Sequence, residues 1–126
     1  MTERELLERT KQFALRIFKL VDALPRTIQG RAVAAQLIRS GTSVAANYRA
    51  ACRARSKSEF VAKLGLVEEE ADENAFWLEL IIETKLLDAT KVKLLLTEAG
   101  EIVAIMASSK KTAAKSQIAN CKSAIP

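Results

Sequence analysis

Apolar residues recur along this 126-residue chain at steps of three and four, the interval that gathers side chains on one face of an α-helix. Leu6, Phe13, Ile17, Leu20, Val21 and Leu24 mark the first such face, over residues 3–24. Pro25 ends it, because proline has no amide proton to donate and disfavours a helical residue before it. A second helix is predicted from Thr27, a suitable N-cap, to about Ala54. Ser40-Gly41-Thr42-Ser43 puts poor helix formers inside it, so a kink or short break is expected there. A third helix opens at Ser56–Ser58, where Ser56 and Glu59 have capping-box spacing. Phe60, Leu64, Val67, Ala71, Leu78 and Ile81 form its core face, with Trp77 on the flank. Asp88 signals a turn into a fourth helix, whose Val92, Leu95, Leu96, Ala99, Ile102, Val103 and Met106 keep the rhythm to about Ser108. The expected architecture is an all-α, antiparallel up-down-up-down four-helix bundle over residues 1–110. Residues 111–126 read as a basic, flexible tail.

Composition narrows the class. Only four Gly and two Pro, with abundant Ala, Leu, Lys and Glu, favour helices and argue against a turn-rich β fold. No apolar run approaches the roughly 20 residues a membrane span needs, and the first residues are charged throughout, so the expected location is cytoplasmic. Cys52 and Cys121 have no metal-ligand spacing; they read as free thiols of a reducing compartment, with a long-range disulfide as the alternative.

Charge is unevenly placed. The net charge is +5, and residues 40–57 contain Arg49, Arg53, Arg55 and Lys57 with no carboxylate. Residues 58–80 then contain Glu59, Glu68, Glu69, Glu70, Asp72, Glu73 and Glu79 against Lys63 alone. At about 100° per residue, Arg31, Arg39, Arg49, Arg53 and Lys57 share a quarter-turn sector if the second helix is continuous. Such a stripe binds polyanions or pairs with carboxylates of another helix or subunit. Asn47 and Tyr48 offer it hydrogen bonding and base stacking, or else serve the structure.

Conventional catalytic chemistry has little to work with. The chain contains no histidine, which removes imidazole acid–base catalysis and a histidine-assisted serine or cysteine nucleophile. There is no phosphate-cradling glycine loop. The carboxylates Glu69, Glu70 and Glu73, followed by Glu98 and Glu101, are three and four apart, a spacing that on facing helices can hold Mg²⁺; the pattern resembles that of all-α nucleoside-triphosphate pyrophosphatases, whose later motif typically ends in Asp where this chain has Glu101. Paired with arginines, the same carboxylates are structural.

The segment from Ser40 to Ile81 is similar to the signature of the four-helix-bundle proteins encoded by intervening sequences of bacterial 23S ribosomal RNA genes, also called S23 ribosomal protein-like. The matching residues are Ser43-Val44, Ala46-Asn47-Tyr48, Ala51, Ala54, Ser56, Glu59-Phe60, Lys63-Leu64, Glu70, Glu73 and Trp77-Leu78-Glu79-Leu80. Glu69, Asn74, Phe76 and Ala50 depart from the family's usual basic residue, Thr, Tyr and Glu. The resemblance implies a cytoplasmic bundle assembled as a ring-like homopentamer, sharing its fold with the accessory protein of diversity-generating retroelements, a basic pentamer thought to bind nucleic acid and a reverse transcriptase.

The leading expectation is therefore a non-enzymatic, oligomeric nucleic-acid-binding protein, for RNA before DNA, with no cofactor and no metal. Arg31, Arg39, Arg49, Arg53, Arg55 and Lys57 are its expected phosphate contacts, with Lys110, Lys111 and Lys115 as auxiliaries. Asn47, Tyr48, Glu59, Lys63, Glu70, Glu73 and Trp77 are candidate structural or oligomer contacts. A reverse transcriptase or a ribosomal component is the candidate protein partner. The alternatives are a scaffold whose basic and acidic segments pair between subunits and, third, a Mg²⁺-dependent pyrophosphatase.

Overall fold

The computed structural model describes residues 1–115, and they form four α-helices: α1 (Glu3–Val21), α2 (Ile28–Cys52), α3 (Lys57–Thr84) and α4 (Ala89–Lys115). Local chemistry sets most of the boundaries. Thr2 caps α1, its Oγ1 accepting from Glu5 N at 3.1 Å, and Thr27 caps α2 by accepting from Gly30 N at 3.1 Å. Ser56 accepts from Glu59 N at 3.1 Å. The returning half of the capping box is displaced by one residue, since Glu59 Oε2 accepts from Arg55 N at 3.4 Å. Lys85 closes α3 in the left-handed conformation (φ 60°), its amide donating to the Ile81 and Ile82 carbonyls. Asp88 Oδ1 accepts from Thr90 N at 3.1 Å, and that bond holds the Asp88 carboxyl below its ordinary pKa.

The four apolar faces meet in one core. Leu6, Phe13 and Ile17 from α1, Leu37, Val44 and Tyr48 from α2, Phe60, Leu64, Leu78 and Ile81 from α3, and Ile102 and Met106 from α4 are all essentially sealed from solvent. Burial of this kind, far more than helix propensity, stabilises helices in water. Each helix packs on its sequence neighbour, and a thinner seam between α1 and α4 closes the bundle. Arg9 spans that seam: its guanidinium donates twice to Glu98, at 2.7 Å each, and to Glu101 at 2.6 Å. The hydrogen bond that Arg9 donates to Glu98 is the largest influence on its pKa and raises it above the usual arginine range.

Two expectations need correction. The second helix does not break at Ser40-Gly41; α2 runs unbroken from Ile28 to Cys52. Tertiary packing overrides propensity there. The Ser40 hydroxyl donates to Gln36 O (2.8 Å) and accepts from Asn74 Nδ2 (2.8 Å), so a buried polar pair ties α2 to α3. A Cβ at Gly41 would sit 3.1–3.3 Å from Ile17, so the missing side chain is what lets α1 lie this close.

The fourth helix also continues past Ser108 to Lys115. Ser109 and Ala113 are buried and extend the three-four rhythm beyond Met106, while Lys57 Nζ donates to Ala114 O at 3.1 Å. Residues 111–115, placed in the tail by sequence, are therefore helical. The rest of the expected tail, Cys121 included, lies outside the described residues.

Candidate nucleic-acid interface

Two adjoining depressions lie along the α1–α2–α3 side. The larger, ≈ 760 Å³, has walls of Leu7 and Ala14 from α1 and Thr42, Ala45 and Ala46 from α2, with Arg4, Glu8, Lys11 and Arg49 among its lining. The smaller, ≈ 490 Å³, is lined by Ala46, Arg49, Ala50, Arg53, Arg55, Glu59 and Lys63. Ala46 and Arg49 belong to both, so the surface is continuous. Alanines at 45, 46 and 50 keep the floor low, and longer side chains supply the rim.

Six cations line this surface against two carboxylates: Arg4, Lys11, Arg49, Arg53, Arg55 and Lys63 face Glu8 and Glu59. None of the six makes an ion pair among the described residues. Their crowding has a local cause. Arg49 sits in the last turn of α2 and Arg53 is its C-cap, where the carbonyl end of the helix dipole favours positive charge by about 0.3–1 kcal/mol. That offsets the few tenths of a kcal/mol that like charges four residues apart cost each other. A cationic cluster thus persists with its charge directed to solvent.

The residues proposed from sequence divide sharply. Arg49, Arg53 and Arg55 come together here, with Lys63 beside them. Arg31 is exposed but lies near the other end of α2, about 27 Å from Arg49 along the axis at 1.5 Å per residue. The stripe is not continuous, because α2 ends at Cys52 and Lys57 already belongs to α3, where it reaches α4 at Ala114 O. Arg39 turns to α3: it donates to both Glu70 oxygens at 3.1–3.2 Å and pairs with Glu73. Its charge is met within the chain. Trp77 Nε1 joins this group by donating to Glu73 at 3.2 Å.

Tyr48 offers no stacking surface. It is fully buried, and burial first, then the neighbouring Cys52 thiol, pushes its phenol above the ordinary tyrosine range. Asn47 Nδ2 donates to Ser43 O, one turn back in its own helix, at 2.9 Å. Among the auxiliaries, Lys110 lies 2.7 Å from Glu68, while Lys111 and Lys115 are exposed.

The candidate Mg²⁺ carboxylates do not converge. Glu70 and Glu73 face Arg39 on α2, Glu98 and Glu101 face Arg9 on α1, and Glu69 is exposed. Among the described residues no group of three side chains is placed to hold a metal ion. No helix among them is long and apolar enough to cross a membrane.

Sequence reasoning passed over Arg4 and Lys11. Both lie on the side of α1 opposite the Phe13–Ile17 core face, and their separation of seven residues, two helical turns, is the signal that places them in one row.

Comparison with known proteins agrees with this architecture. Residues 2–108 match the model of the family described as 23S rRNA-intervening sequence protein. The chain is similar to a crystal structure of a protein of unknown function from the S23 ribosomal protein family of Bacteroides thetaiotaomicron VPI-5482, at 31% identity and a TM-score of 0.79, over 89% of this chain and 100% of that one. No curated protein matches.

Proposed function

The chain belongs to the 23S rRNA-intervening sequence protein family, and we propose that it is a non-enzymatic nucleic-acid-binding protein that grips phosphates with the α1–α2–α3 flank. The observation behind this is the continuous surface where six cations lack ion-pair partners while Arg9, Arg39 and Lys110 elsewhere are neutralised. Unpaired guanidinium and ammonium groups along a shallow floor suit a flexible polyanion, and attraction of this kind is largely independent of sequence. RNA is the proposed ligand, on the strength of the family's tie to ribosomal RNA genes.

The antiparallel helix order belongs to the same reading. It is supported by Lys57 at the start of α3 meeting Ala114 at the end of α4, with Glu68 meeting Lys110 further along. A cytoplasmic homopentameric ring, and a reverse transcriptase or ribosomal component as partner, are the expectations that come with the resemblance.

A second reading has its own observation. Glu69, Asp72, Phe76, Glu79 and Glu83 are all exposed on α3, within an arc of about 80° at 100° per residue, and the four carboxylates make no ion pair among the described residues. In an oligomer this acidic row is complementary to the cationic flank of a neighbouring copy. Arg49→Glu with Arg53→Glu separates the two readings. Loss of RNA binding with the sedimentation coefficient unchanged supports the phosphate-binding flank. Dissociation of the oligomer with residual binding intact would make these arginines assembly residues.

A further inference from the structure

The outer face of α1 bears more than charge. Arg4, Lys11, Leu15 and Phe18 fall within an arc of about 60° at 100° per residue and extend over about 21 Å at 1.5 Å per residue, opposite the buried Phe13 and Ile17. Leu15 and Phe18 keep 48% and 45% of their surface exposed. The first half of the row, Arg4 and Lys11, lines the larger depression with Arg49 and chiefly apolar walls, and Leu15 and Phe18 continue the same face of α1 beyond it. Cations and apolar surface therefore run side by side along one track.

We infer that this track binds single-stranded rather than duplex nucleic acid, with phosphates on the Arg4, Lys11 and Arg49 rim and a base stacked on Phe18. The inference rests on the phosphate-binding reading above and names the strand form it selects. A duplex presents phosphates outward and keeps its bases stacked on each other, so it engages the rim alone. A single strand also presents base faces, which gain by leaving water for an aromatic ring or an apolar wall. Tyr48 is buried, Trp77 is held against Glu73, and the exposed Phe76 stands in the acidic row of α3. Phe18 is the exposed ring on α1, two helical turns, about 10 Å, beyond Lys11 on the same face.

The test uses the full chain with labelled oligouridine and with a duplex RNA of equal length, at matched salt. Binding of the single strand about tenfold tighter than the duplex is expected. Phe18→Ser should lower single-strand affinity about tenfold, within the range for losing one base–aromatic stack, and leave duplex affinity unchanged; Phe18→Trp should restore it. Equal affinity for both forms, or no effect of Phe18→Ser, overturns the inference and leaves the phosphate-binding reading standing. A sedimentation change in Phe18→Ser that accounts for the lost binding also overturns it, making the row a subunit contact. No binding of either RNA by the native protein refutes both.

Discussion

Gly30 is the position where one added methyl group should do the most damage. It lies in the first turn of α2, against the corner that Pro25 makes after α1. A Cβ there would fall inside the contact radius of the Pro25 carbonyl oxygen, 2.9 Å from its carbon and 3.3 Å from the proline ring. Two of these three atoms are backbone, so no side-chain rotation relieves the overlap and the corner itself must move. Overpacking costs about 1–3 kcal/mol, and rigid backbone places Gly30→Ala at the upper end. Alanine regains about 1 kcal/mol of helix propensity, which leaves a net loss of about 2 kcal/mol. At roughly 2.1 cal/mol/K of unfolding entropy per residue, each kcal/mol shifts the Tm of a chain this size by about 4 °C, so Gly30→Ala should melt about 8 °C low. Gly100→Ala is the control: a Cβ at that position would have nothing within 4 Å, and the same change should raise Tm by about 2–4 °C, from the propensity gain alone. Far-UV circular dichroism on both variants, at one protein concentration, gives the comparison. A Gly30→Ala protein melting at or above the native Tm would refute the close-approach argument.

Other consequences follow from single side chains. The buried Tyr48 hydroxyl has no oxygen or nitrogen partner and only the weakly bonding Cys52 thiol beside it, so Tyr48→Phe should hold or slightly raise urea stability. Its raised pKa also fixes a sign: the unfolded phenol ionises near pH 10 while the folded one stays neutral, so stability should fall as pH rises above about 10. Tyr48→Phe should make that fall shallower. Arg39→Ala should leave RNA affinity within about twofold of native, since Glu70 and Glu73 already neutralise this arginine, whereas Arg49→Ala should weaken it severalfold in fluorescence anisotropy at low salt. Ser40→Ala should cost about 1–2 kcal/mol in urea denaturation by removing the acceptor of a buried Asn74 bond. In combination with Asn74→Ala its cost should be less than additive.

The bundle was readable because its cues are local. Proline at 25, caps at Thr27 and Ser56, and unbroken three-four rows specify four helices without knowledge of how they pack. The misreadings all concern contacts between helices. Ser40-Gly41 looks like a break until Asn74 and Ile17 are set against it. Ser108 looks like an end until Ser109 and Ala113 are seen in the core. The same holds for the candidate site. A helical wheel groups Arg39 with Arg49, yet only the distant Glu70 and Glu73 show that Arg39 is occupied. Tyr48 beside Arg49 invites a stacking role, and its inward orientation becomes evident only when α2 is continuous. Arg4 and Lys11 stand 45 and 38 residues from Arg49 in sequence and join it through α1–α2 packing.

The most direct measurement is the binding of labelled single-stranded RNA to nucleic-acid-free protein across a salt series. With all six flank cations engaged, log Kobs should fall against log[salt] with a slope of roughly −4, and Arg49→Glu with Arg53→Glu should make that slope shallower by about 1.4 or more. No binding at low salt, or binding indifferent to salt, with the protein folded and its oligomeric state intact, would contradict a phosphate-gripping flank.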